Sequence, residues 1–178
     1  MMMPRRILMT VVLAVMSVTV AAAQTKTQAV FAELDNPLDV AHAKVNDPVS
    51  AKLCEGVTLN DGTKLPAGSI LTGRVVGVKG AGGSSLSLLF DQVLVGDKKP
   101  IAVAVTVRRV EDNASDEDNL DVDPKQIKST GDPVSKLRGV TLADSVDGSA
   151  SATFSAKGDK LYLNYRTLLG CLIATRQA

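Results

Sequence analysis

The run from Ile101 to Val110 constrains the fold more than any other stretch of the chain. Ile101, Val103, Val105 and Val107 alternate with Ala102, Ala104, Thr106 and Arg108. A period of two places each set on its own face of a strand. Similar segments run over Ala29 to Leu34, Val49 to Leu59, Ile70 to Val78 and Leu86 to Val95. Val140 to Leu142, Ala150 to Ser155 and Lys160 to Thr175 close the series. Turn signals separate them: Asn60-Asp61-Gly62, Pro66-Ala67-Gly68-Ser69, the glycine-rich stretch before Leu86, Gly96-Asp97, Asp147-Gly148 and Lys157-Gly158-Asp159. Gly73 and Gly77 sit inside a strand pattern and mark a bend or a close backbone approach. Short strands spaced by about 8–12 residues predict a mostly β fold, a small antiparallel β-barrel or sandwich.

The N-terminus does not belong to that fold. Arg5 and Arg6 precede an apolar run from Ile7 to Val20, and Ala21-Ala22-Ala23 follows. This is the pattern of a signal peptide over 1–23, cut before Gln24. The apolar run is shorter than the ~20 residues that span a bilayer, so no transmembrane segment is expected after cleavage. The expected location is exported, periplasmic or secreted. Cleavage leaves 155 of the 178 residues, removes all five methionines and moves the formal charge from +1 to −1. The mature aromatics are Phe31, Phe90, Phe154, Tyr162 and Tyr165. A core must therefore come from Val, Leu, Ile and Ala, which pack well on pleated sheets.

The mature chain divides into a polar segment with one short strand over 24–46 and a β-unit over 47–110. An acidic mobile loop over 111–131 follows, and 132–178 supplies the closing strands of the same domain. Glu111, Asp112, Asp116, Glu117, Asp118, Asp121 and Asp123 crowd the loop without a basic residue among them. Such a block repels itself and buries little apolar surface. The rest of the mature chain then carries 18 basic against 12 acidic side chains. The segment Asp47-Pro48-Val49-Ser50 to Gly56-Val57-Thr58-Leu59 is echoed by Asp132-Pro133-Val134-Ser135 to Gly139-Val140-Thr141-Leu142. This is either a duplicated β-unit or a chance likeness between two strands.

Candidate chemistry is sparse. His42 is the only histidine, lies in a polar region, and has no Gly-x-Ser-x-Gly elbow nearby. Asp61-Gly62-Thr63 and Asp147-Gly148-Ser149 reverse the order of an aspartic-protease motif and read as turns. Gly77, Gly80, Gly82 and Gly83 lack the helix that a phosphate-cradling loop needs behind it, and read as a hairpin. Asp116, Asp118 and Asp121 are closely spaced carboxylates of a kind that calcium takes, yet Leu120 and Asp121 stand where an EF-hand wants an oxygen ligand and then glycine, and the block reads as a solvated linker. No catalytic, cofactor-binding or metal residue is assigned, and no cofactor is expected. Nucleic acid is not an expected partner, because no basic cluster is interleaved with aromatics. Cys54 and Cys171 are the only cysteines. In an exported chain they read as one disulfide or as two separately buried thiols. The string Leu168-Leu169-Gly170-Cys171 looks like a lipidation signal at the wrong end of the chain and reads as a strand.

Leu65-Pro66-Ala67-Gly68-Ser69-Ile70-Leu71-Thr72-Gly73-Arg74-Val75, a strand ending in Leu89-Phe90-Asp91, and another after Lys98-Lys99-Pro100 resemble uncharacterised exported bacterial β-proteins. Over about Val49 to Val107 the chain is also distantly similar to the β-barrel domain of the outer-membrane-channel component of type IV secretion and conjugation machines. The likeness implies a barrel, and it lacks that component's linker, inner-membrane anchor and channel-forming helices. The residues together predict an exported non-catalytic β-domain, an envelope or secreted binding module whose ligand or envelope partner is unknown. The alternative is a structural accessory subunit of a cell-envelope or secretion assembly, pairing through a sheet edge or its acidic loop. A small carboxylate-dependent hydrolase is a third class, because Asp and Glu are plentiful.

Overall fold

The computed structural model describes residues 26–80, 82–113, 123–144, 148–158 and 160–176. The signal segment lies outside the described residues. So do Asp116, Asp118 and Asp121, the carboxylates of the calcium reading. The described chain forms β1 (Gln28–Leu34), β2 (Leu38–Asp39), β3 (Pro48–Leu53), β4 (Val57–Thr58), β5 (Lys64–Leu65), β6 (Ile70–Lys79) and β7 (Ser84–Leu94). It continues through β8 (Ile101–Glu111), a 3-10 turn at Pro124–Gln126, β9 (Val134–Ser135), β10 (Val140–Ala143), β11 (Ala152–Ala156), β12 (Tyr162–Leu163) and β13 (Leu168–Thr175).

Six strands close a barrel in the order β1, β3, β6, β7, β8, β13 and back to β1, each pairing antiparallel. Closure removes the exposed edges that an open sheet leaves. The alternation read from the sequence is what fills it. Val103, Val105 and Val107 on β8, Val49, Ala51 and Leu53 on β3, and Leu86, Leu88 and Phe90 on β7 join one apolar cluster. Phe90, Leu71 and Leu34 are among its largest fully buried side chains.

The barrel is not a plain ring. The edge of β7 that meets β8 is shared along its length. Gln92 and Val93 pair with β8, whereas Ser84 to Leu88 pair with β11. β10 then extends from β11. Ser151 sits at the fork. Its N–H donates to Leu88 O (2.7 Å) and its carbonyl accepts from Val107 N–H (2.8 Å). Its hydroxyl oxygen accepts from Phe90 N–H at 2.9 Å. One serine thus supplies backbone partners where two strands part, which is why a polar residue tolerates full burial there. The branch shares the barrel core, since Phe154 lies opposite Leu86 and Leu142 opposite Phe154.

Two expected strands are shorter than their patterns. Val49 to Leu59 breaks after Leu53, where Gly68 N–H reaches Leu53 O and Cys54 N–H turns to Phe31 O. Lys160 to Thr175 breaks at Asn164–Thr167, where Arg166 adopts a φ of 65°. The segment expected as a loop from Glu111 to Gly131 starts inside β8 and includes the 3-10 turn and a buried Ile127. The echoed segments enter different pairings. The first enters the antiparallel β3, whereas the second enters β9, which runs parallel to β8.

Candidate functional site

The disulfide reading is corrected by the structure: Cys54 and Cys171 are both free thiols. Alternation separates them. Cys171 lies opposite Val30 and belongs to the barrel core with it. Cys54 packs against Phe31, Ile127, Leu168 and Leu172, a second cluster on the outer wall. Side chains on opposite faces of a strand pair cannot bring their sulfurs to bonding distance. Burial pushes both thiols up to about 12, with Glu33 and Glu55 adding to the effect at Cys54. Both are therefore protonated and poorly nucleophilic at neutral pH.

His42 stands on the surface, its side chain 86% exposed, with Nδ1 2.8 Å from Asp39 Oδ2. The Ala41 N–H and then His42 hold the Asp39 carboxyl below its ordinary value. This is the closing bond of a tight turn after β2. Gly82 and Gly83 have positive φ in the hairpin between β6 and β7, as a turn requires. Leu168 to Cys171 lie in β13, as their strand pattern predicts. Among the described residues no group of three His, Cys, Asp or Glu side chains is arranged to hold a metal ion. No helix there is long and apolar enough to cross a membrane.

The densest polar constellation lies on the outer wall, at the end of β8. Gly170 pairs with Arg109 and Cys171 with Val107, so Arg108 is an extra residue in β8. Such a bulge resets the alternation and puts consecutive side chains on the same side. Arg108 and Arg109 are accordingly both buried outside the core cluster, at 7% and 9% exposure. Arg108 fastens the segment beyond the acidic block. Its Nε donates to Lys128 O at 3.2 Å, one terminal nitrogen donates to Gly131 O, and the other pairs with Asp144. Arg109 pairs with Glu111 Oε2 at 3.2 Å, and Lys136 Nζ reaches the same oxygen at 2.9 Å. Glu111 thus ties the end of β8 to the residue that follows β9.

Between those fastenings, Ile127 caps the outer apolar cluster of Phe31, Leu168 and Leu172. Gly170 makes room for it: a Cβ there would stand 2.8 Å from Arg109 Cβ and 3.0 Å from Ile127 Cγ1. Further along the same wall, Asn113 Nδ2 donates to Glu33 Oε1 at 3.0 Å and Arg166 pairs with the same carboxylate at 3.5 Å. Glu55 lies nearby with a buried, unpartnered Oε1. Burial raises its pKa and Asp123 adds to that, while the Phe31 N–H opposes it.

A cleft of about 490 Å³ opens beside the paired arginines, lined also by Gln126, Lys128 and Thr130. The arginine pair is not among the candidate residues of the sequence. The signal was present, because Arg109 breaks the parity that Arg108 keeps. Which neighbour the bulge would serve was not readable. No family model, curated protein or solved structure matches the chain.

Proposed function

We propose that this chain is an exported, non-catalytic binding module that works through the outside of its barrel. The observation that carries this reading is the filled interior. On the barrel strands themselves, Leu34, Leu53, Leu71, Leu86, Leu88, Phe90 and Leu169 are buried to below 2% exposure. Side chains covered this fully fill the described barrel interior, which directs the search for a ligand to the outside of the wall. Recognition is then left to the wall around β8 and to the elements added there, where the buried charged side chains Arg108 and Arg109 lie. A barrel supports many roles, so the site and not the fold carries the reading.

The second reading is an accessory subunit of an envelope or secretion assembly, consistent with the resemblance to the secretion-channel barrel. It draws support from β10, which ends the sheet with no strand paired to its outer edge among the described residues. Such an edge can accept a strand from a partner. Affinity capture from envelope extracts of the producing cell separates the two, with the captured chain also weighed by mass spectrometry. A chain beginning at Gln24 that elutes as a monomer supports the binding module. A stable high-order complex supports the accessory subunit. A retained N-terminus in the cytoplasm overturns both. A turnover activity that one Asp or Glu substitution removes, with folding intact, overturns the non-catalytic reading.

A further inference from the structure

We propose that the cleft beside the β8 bulge is a binding site for a phosphate group. The inference rests on the binding-module reading and supplies its ligand class. Arg108, Arg109 and Lys128 line the cleft against a single acid, Asp132. Asp144 neutralises Arg108, and Glu111 is shared between Arg109 and Lys136. Among the described residues Lys128 has no carboxylate partner, so the group of four cations and three acids is one positive charge in excess.

The donors are arranged in tiers. Arg108 is spent on Asp144 and on two carbonyls, and forms a rigid floor. Arg109 spends Nε and Nη2 on Glu111, while Nη1 has no acceptor among the described residues. Lys128 is exposed at the rim, and Gln126 and Thr130 add neutral donors. A guanidinium held by packing and a free ammonium suit an anion with several acceptor oxygens. Holding Arg109 in place before the ligand arrives also spares the ordering cost that surface arginines incur. The cleft volume exceeds a bare phosphate, which leaves space for what the phosphate is attached to. Free phosphate and a phospholipid headgroup present the same chemistry.

Calorimetric titration of the purified protein with inorganic phosphate, with acetate as reference, tests the site. A second arm measures cosedimentation with vesicles of phosphatidylglycerol against phosphatidylcholine. The expected result is saturable 1:1 phosphate binding, or selective retention on phosphatidylglycerol vesicles, that weakens as salt is raised. Lys128→Glu is expected to weaken it about tenfold or more, with an unchanged melting temperature because Lys128 is exposed and has no carboxylate partner among the described residues. Lys98→Glu, the same charge change at an exposed site outside the cleft, is expected to leave it within about twofold. Binding in the first arm assigns free phosphate, and binding in the second alone assigns the headgroup. Binding in neither arm, or equal loss in both variants, overturns the site. Either failure leaves the capture experiment above as the separate judge of the binding-module reading.

Discussion

Gly73 stands where β6 and β7 approach too closely for a side chain. A Cβ there would lie 2.0 Å from the Leu89 carbonyl oxygen and 2.8 Å from Phe90 Cα, both backbone atoms. Gly77 is different in kind, because its added Cβ would meet only the Ser87 side chain at 3.3 Å. Both lie at register shifts between the two strands. Gly73→Ala is expected to cost about 3 kcal/mol or more, since the backbone of a central barrel strand must move. Gly77→Ala is expected to cost about 1 kcal/mol or less. Urea unfolding of the two variants checks this, and equal midpoints contradict the steric account. A glycine inside a strand pattern signalled a close approach from the sequence. Which of the two was indispensable depended on the opposing strand.

At the scale of elements, the bulge in β8 and the bridge through Glu111 hold the outer segment to the barrel. Burial alone would raise the Glu111 pKa, but Lys136 and Arg109 outweigh it and hold the carboxyl below its ordinary value of 4.5. A carboxyl depressed in the folded state stabilises the fold above its unfolded pKa. That contribution is lost as pH falls through the folded value. Glu55 acts with the opposite sign: raised by burial, it favours the fold most at low pH, and this support is lost as pH rises. The wild-type melting temperature is expected to fall as pH drops below about 4.5, the ordinary glutamate range. In Glu111→Gln the drop over the same interval is expected to be shallower. Parallel melting curves for the two proteins would remove Glu111 from the account. Consecutive arginines after an alternating run were visible in the sequence. Their joint burial was not, because it follows from the register of β13 and from Ile127 closing over Gly170.

Over the whole molecule, the branch strands and the barrel share a single core. Phe154 lies on β11, outside the six-strand ring, yet it packs in the same cluster as Leu86, Leu88 and Val107. Phe154→Ala is expected to destabilise the entire domain by about 3–5 kcal/mol. Far-ultraviolet circular dichroism and tyrosine fluorescence should still lose structure in one coincident urea transition. A separate early transition would mean that the branch folds by itself. The single core explains how far local pattern reading reached. Period-two alternation determined the strands, their inward faces and a mostly β fold, because a pleated strand sends alternate side chains to opposite sides. The turn residues determined where most strands end, because few residues adopt their backbone angles without cost. Barrel closure, the fork at Ser151, the bulge at Arg108 and the separation of Cys54 from Cys171 were decided only by the tertiary structure. Each depends on which strands become neighbours and in what register, and that is set by contacts between residues far apart in the chain.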